Sequence, residues 1–309
     1  MSVLIEKFRL AYEWQDEGRE QYGGFLPKGV KFSAIAGFGQ AEDGDLCFCD
    51  RLAGDFSYIS NDSPTILCTP VLVDRLRVHF PYAKLVALAD PRAIFLDLIG
   101  HLQLQNALQP TSLIVGPWGT SEHAEIGSGS YVHPESRIDA GARIGMNCII
   151  RRGVWIKSDA TIEDGTVVGV SGINAYRSAD GRILRFPHLA GVIVEENVAI
   201  GANNVLVAGV LNSTVIGSNS ILGNLCNIGH GVTIGPSVWM SVGCKIGGHS
   251  SIGAHVTVGM GATIRDNLSV GECAHIGMGS VVTKSVPAGR SMFGNPARAM
   301  PGVVAGPAR

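Results

Sequence analysis

Apolar residues along this chain follow two regimes, and the second is the more regular. From Ile126 a branched or apolar side chain returns at every sixth position: Ile126, Val132, Ile138, Ile144, Ile150, Ile156, Ile162 and Val168. The phase is regained at Ile216 and holds through Leu222, Ile228, Ile234, Met240, Ile246, Ile252, Val258, Ile264, Val270, Ile276 and Val282. A glycine often follows directly, as at Gly145, Gly217, Gly229, Gly235 and Gly247. A period of two would indicate half-buried strands and a period of 3.6 a helix. A strict period of six predicts a parallel β-helix in which each hexad supplies a short strand and a corner. Three hexads close one triangular coil. The periodic residue points inward, and the residue two places later falls at a corner and points outward. Roughly eight coils stacked at ~4.8 Å give a rod of about 40 Å.

The period fails over residues 169–191, GVSGINAYRSADGRILRFPHLAG, which predicts a loop extruded from the solenoid. Such insertions usually mark a binding face. A smaller irregularity lies between Ile200 and Ile216. Before the repeats the pattern is mixed. Leu4, Phe8, Ala11 and Tyr12 fall at helical spacing, so residues 1–24 are expected to form a helical segment ended by Gly23-Gly24. Residues 25–118 form an expected small α/β domain. Its short buried strands are Leu46–Phe48, Thr65–Cys68 and Lys84–Ala87, and its helices are Pro70–Phe80 and Pro91–Leu104, with Asp90-Pro91 as a helix start. The β-helix is expected over 119–286, with the loop 169–191 inserted, and a cap and frayed tail over 287–309.

Composition supports a thin solenoid more than a thick core. Of 309 residues 41 are glycine, 46% are hydrophobic, and only 6% are aromatic. The net charge of -2 and the lack of a basic run argue against a nucleic-acid partner. No apolar stretch is long enough to span a bilayer, and the N-terminus has no basic segment followed by an apolar core. The seven cysteines lack metal-ligand spacing and read as reduced core residues of a cytoplasmic protein.

The hexad array resembles the left-handed parallel β-helix acyltransferases, which are typically homotrimers with active sites between neighbouring coils. Within that superfamily the chain resembles UDP-3-O-acylglucosamine N-acyltransferase of lipid A synthesis. The matching residues are Gly37-Phe38-Gly39-Gln40-Ala41, Gly44-Asp45-Leu46-Cys47-Phe48 and Ala89-Asp90-Pro91 in the α/β domain, then Ile200-Gly201-Ala202-Asn203, Thr214-Val215-Ile216-Gly217, Asn224 and His230. Phe186-Pro187-His188 stands where the family's loop ends in an Ile-Pro-Gln-type turn. The chain departs from the family at Val207-Ala208, where an Asp-Arg pair is replaced, and at Asn267, which takes the place of a second functional histidine. Its end, Gly294-Asn295-Pro296-Ala297-Arg298, resembles that of acetyl-CoA-dependent sugar acetyltransferases.

N-acylation needs a base for the attacking amine and a donor for the tetrahedral oxyanion. A neutral histidine suits the first role near pH 7. His230 falls at an outward corner, and Gly248 occupies the equivalent position one coil later. The resemblance implies that His230 is the general base and that the Gly248 amide receives the thioester oxygen. It further implies substrate contacts from Asn224, Phe48, Tyr176 and His188. Coenzyme A would run along Gly248, His249, Met260, Lys284, Asn295 and Pro296. His249 and His255 are expected to line the cleft below His230; a metal held by these three histidines is conceivable, but no ligand spacing demands one and none is expected. No cofactor is expected to be resident. The expected activity is transfer of an acyl group from an acyl thioester, with acyl-CoA favoured, to the amino group of a nucleotide-linked amino sugar. Two alternatives stay open: lipid A N-acylation from a hydroxyacyl-carrier protein, and a non-catalytic β-helix that binds or scaffolds.

Overall fold

The structure is a computed structural model that describes residues 8–10, 26, 30, 32–36, 38, 41–50, 61–105, 108–110 and 118–304. It divides into two compact units: residues 1–113 with 173–189, and residues 114–172 with 190–309.

The first unit is an α/β layer. Its strands are β1 (Phe8–Leu10), β2 (Ala34–Ile35), β3 (Asp45–Cys49), β4 (Thr65–Cys68), β5 (Lys84–Ala87) and β6 (Leu108–Pro110), in the sheet order β5-β4-β3-β2-β1-β6. From β2 to β5 neighbouring strands are parallel, and β1 is antiparallel to both of its neighbours. β4 is buried at all four residues and β3 at all but Phe48, the continuous apolar pattern of a parallel sheet covered on both faces. Cys47, Cys49 and Cys68 fill this interior as free thiols, and burial pushes the Cys47 thiol well above its ordinary range. Pro70–Leu72 is a 3₁₀ turn that leads into helix α1 (Val73–His79), and α2 spans Pro91–Leu104. Asp90 caps α2 by accepting the Ala93 N–H at 2.9 Å, and Pro91 fills the first turn, where no amide donor is needed.

The helix expected over residues 1–24 is corrected where the structure describes it. Phe8–Leu10 is a strand, because pairing with both β2 and β6 outweighs the local helical spacing. Residues 1–7 and 11–25 lie outside the described residues, as do Gly37, Gly39 and Gln40 of the first matching motif.

The second unit is a parallel β-solenoid with three faces of eight, ten and eight strands. Strands of successive coils pair in parallel and in register, apart from a shift between Val168 and Val170. On the third face this stacks Leu206 on Ile228, Ile246, Ile264 and Val282, all at 2% exposure or less. Burying such a side chain contributes roughly 1.5–3 kcal/mol, so the stacked column is the main source of stability. Ile126 is an exception at 39% exposure, for its strand has a solenoid neighbour on one side only. Corner residues Asn147, Asn197, Asn203, Asn219 and Asn267 have φ of 55–59°, a left-handed conformation that asparagine tolerates better than most residues. At the far end Arg290–Phe293 and Arg298–Val304 form an antiparallel hairpin. The tail expected to fray from Pro301 is thus paired through Val304, and residues 305–309 lie outside the described residues.

A second inward column, two residues ahead of the first, is polar or small: Cys148, Thr166, Asn204, Cys226, Cys244, Ala262 and Ser280. Asn204 ties three coils together. Its Nδ2 donates to the carbonyls of Gly201 (2.6 Å) and Gly223 (3.0 Å), its Oδ1 accepts from the Cys226 N–H (2.7 Å), and its own N–H donates to Thr166 Oγ1 (3.1 Å). Asn204→Ala strands the Gly223 carbonyl and the Cys226 N–H, each at a cost of about 1–3 kcal/mol, while the Gly201 carbonyl keeps the Thr166 hydroxyl at 2.9 Å. The expected loss is about 2 kcal/mol or more, checked by chemical denaturation followed by circular dichroism.

Candidate functional site

The corner that leads from the third face to the first carries all the irregularities of the solenoid. Val170 ends a third-face strand and Val192 begins the next first-face strand, so the insertion leaves and returns here. One coil on, Ala208–Ser213 bulges from the same corner between Val205–Val207 and Thr214–Ile216. The next coils place His230, Gly248, Asp266 and Lys284 in one column, each two residues past an inward side chain. His249 and Asn267 stand beside that column.

The two imidazoles interlock. A Cβ at Gly248 would lie 2.4 Å from His230 Cε1 and 2.6 Å from Nε2, so the His230 ring occupies the space that a side chain at 248 would need. A Cβ at Gly231 would lie 2.7 Å from His249 Nδ1, so the His249 ring occupies the corresponding space one coil back. The ring centroids are 4.6 Å apart, with the planes at 73°. His249 has φ of 57°, and its N–H donates to the His230 carbonyl at 2.8 Å. From the other side the Gly231 N–H donates to Thr214 Oγ1 at 2.9 Å, and Thr214 donates to the Val207 carbonyl at 2.7 Å. The bulge therefore braces the loop that carries His230.

Loss of hydration lowers the His230 pKa below 6.5, and the Asp266 carboxylate acts in the opposite direction. His249 is driven to about 4, first by loss of hydration and then by the neighbouring His230, again against Asp266. His249 as a residue is exposed, with its ring set edge-on against His230. Both rings are neutral at pH 7. Because both pKa values fall on folding, the unfolded chain binds the extra protons, and stability drops as pH falls from 6.5 through these lowered values.

Other expected site residues lie elsewhere. Asn224, Val242, Met260 and Met278 form a column on the corner between the second and third faces. There Asn224 Oδ1 accepts the Ala202 N–H at 2.9 Å, and Met260 is 58% exposed. Within one chain neither shares the His230 corner. Asn295 and Pro296 lie in the terminal hairpin attached to the second face, away from the His230 column, whereas Lys284 ends that column and is exposed. His255 sits at the third corner, between Ser251–Ile252 and Thr257–Val258, so it does not line the cleft below His230. Its hexad is displaced by one strand from that of His249. No three metal-ligating side chains converge among the described residues.

The first unit brings Phe48 and Tyr176 together around Arg92. Residues 173–189 belong to this unit, so the expectation of a loop projecting from the solenoid as its binding face is corrected: the loop is a hairpin of Ala175–Arg177 and Ile183–Arg185 held to α2. Asp90 receives the Tyr176 hydroxyl at 3.0 Å and the Ala179 N–H at 3.1 Å, besides capping α2. Burial opposes its ionisation, but these bonds and Arg92 outweigh that and hold it below the ordinary carboxylate range. Arg92 pairs with Asp50 at 2.7 Å and lies 5.5 Å from the Phe48 centroid and 4.9 Å from that of Tyr176. Phe95 and Phe186 pack on Phe48 at 4.9 and 5.9 Å. The Phe48 ring is thus covered by Arg92 and two phenylalanines. His188 lies near the end of the insertion and is part-buried. Arg92, Asp90 as a hairpin anchor, and Asp266 were not expected from the sequence; counting 18 residues beyond Gly248 finds Asp266, whereas no spacing links position 92 to 176.

No protein-family model matches the chain. A protein named UDP-3-O-acylglucosamine N-acyltransferase from Anaeromyxobacter dehalogenans is 29% identical over 123 residues, covering 36% of this chain and 35% of that protein. One of the same name from Coxiella burnetii is 26% identical over 235 residues, 66% of this chain and 65% of that protein. The chain thus spans about a third of the length of the first relative and just under two thirds of the second, and it is a sequence relative of enzymes named as sugar N-acyltransferases. Among solved structures, UDP-N-acetylglucosamine acyltransferase from Campylobacter jejuni overlaps 59% of this chain and 71% of its own at 24% identity, with a TM-score of 0.40. LpxA from Acinetobacter baumannii overlaps 59% and 73% at 22% identity, with a TM-score of 0.44.

Asp90→Ala removes the shared acceptor of the α2 cap and the hairpin. Trypsin is expected to cleave after Arg177 and Arg182 roughly tenfold faster than in the parent protein, as mass spectrometry would record, because about 1–3 kcal/mol of closing energy is lost. Tyr176→Phe, which removes one of the bonds, should give a smaller increase.

Proposed function

We propose that the protein is an acyltransferase that moves an acyl group from a thioester to the amino group of a nucleotide-linked amino sugar. The observation that carries this reading is the His230 imidazole lying directly over Gly248, on the corner where the solenoid departs from regularity. The kinship with named sugar N-acyltransferases points to the same chemistry.

In this mechanism neutral His230 removes a proton from the sugar amine as its nitrogen attacks the thioester carbonyl. The carbon–nitrogen bond forms and the carbonyl oxygen becomes an oxyanion, which the Gly248 N–H receives. The intermediate collapses, the carbon–sulfur bond breaks, and the thiolate takes the proton from the His230 imidazolium. Acyl-CoA is the favoured donor because of the ending Gly294–Arg298, with Met260, Lys284, Asn295 and Pro296 along its path. Lipid A N-acylation from a hydroxyacyl-carrier protein fits the named relatives equally well, and donor preference separates the two. A cytoplasmic homotrimer completes the proposal. Asn224 and Met260 stand on a different corner from His230, so a site that uses all three needs a second copy of the chain.

His230→Ala is expected to lower acyl transfer by about 100-fold or more while leaving the solenoid folded. A folded variant with undiminished thioester consumption sinks the mechanism. In the parent protein the part of the acid limb of kcat/KM that belongs to His230 should lie below the ordinary imidazole range, because burial lowers the His230 pKa. Gly248→Ala, whose Cβ collides with the His230 ring, should cost at least about tenfold and add little to His230→Ala.

A further inference from the structure

We infer that His249 is a positioning residue for His230: its ring covers the His230 imidazole against water and holds it over Gly248. The inference rests on the reading of His230 as the base, and it deepens that reading by assigning a task to the second imidazole.

Four observations support it. The rings meet at a centroid distance of 4.6 Å and an angle of 73°, close enough that each shields one side of the other. Each fills the space over a glycine exactly one coil away: His230 over Gly248, His249 over Gly231. A side chain at either glycine would push one ring out of the pair, so the pair requires both glycines together. The backbone then fixes the origin of each ring. His249 is held at φ of 57° and its N–H is bonded to the His230 carbonyl, while the His230 loop is tied through Gly231 to Thr214.

The charged neighbour of the pair acts against the lowered pKa values. Asp266, on the next coil, is the charged group that acts on both rings, and it would raise their pKa values, not lower them. It is itself occupied: Asn267 Nδ2 donates to it at 2.6 Å, and the Arg265 guanidinium lies 4.0 Å away. Thr214, which is bonded to this loop from the preceding coil, does not titrate near neutral pH. Lys284 is two coils further along the column from Gly248. Dehydration lowers the His230 pKa, and the His249 ring packed against it at 4.6 Å supplies part of that dehydration. His249 is the poorer base of the two: it is neutral down to about pH 4, and its ring lies over Gly231 and not over the amide of Gly248.

The test is histidine titration by NMR in the full chain, with His230→Gln used to assign its signal. In the parent protein His230 should titrate below 6.5. His249→Asn suits the left-handed backbone but is too short to cover the ring; there the His230 pKa should rise towards 6.5, with the acid limb of kcat/KM rising in step. His249→Phe restores a covering ring and should return the titration towards the parent value. If His230 titrates identically in the Asn variant and the parent, the inference is overturned. A merely structural His249 would lower the melting temperature in both variants and leave the titration unmoved. The titration needs no substrate, so a shifted His230 pKa in a protein whose His230→Ala variant stays fully active would refute the proposed base and leave the covering role standing.

Discussion

In-register stacking at a step of 18 residues is the constraint on which this molecule depends. A hydrogen bond such as that from the Gly229 N–H to the Ile246 carbonyl, at 2.8 Å, fixes which residue of one coil stands over which residue of the next. Once that is fixed, a corner position becomes a column. The hydrophobic interior, the polar ladder through Asn204, and the line of His230, Gly248, Asp266 and Lys284 are three columns generated by the same rule. The solenoid collects functional groups along its corners. It brings them together by repeating them at the step of its own backbone.

That rule explains which parts of the molecule were legible in the chain. The period of six is carried by local, repeated choices, so Ile228, Ile246 and Ile264 declare both the strands and their stacking. His230 and Gly248 were readable for the same reason. The interlocking of His230 with His249 was not, because it depends on which way each side chain turns from a corner, and a count of coils does not contain that direction. Asn224, Met260 and His255 show a further limit. Proximity in sequence to His230 or His249 suggested a shared cleft, but a displacement of one hexad moves a residue around the prism to another face.

The first unit was legible only in its regular elements. β4, β5 and α2 match the sequence expectation at both ends, since each is bounded by turn residues or capped by Asp90. Nothing near residue 92 announces that its guanidinium will lie between Phe48 and a tyrosine from the far insertion. Such contacts follow from tertiary closure, which hexad counting does not reach. The same is true of β1, where local helical spacing gave way to two antiparallel neighbours.

The hairpin also changes how the gene can be divided. The polypeptide passes between the two units three times, near residues 113, 172 and 189, because Ile173–Leu189 is encoded within the solenoid and folds with the α/β unit. The units are spatially distinct but not separable by a single cut. Removing the first 113 residues would leave the hairpin behind, deprived of the Asp90 and Asp97 carboxylates and of the aromatic surface that receives Phe186. Recombination that exchanged only the leading segment would have to preserve an orphaned partner in the middle of the other unit. The two parts are therefore bound to change together, as an interleaved pair and not as modules in series.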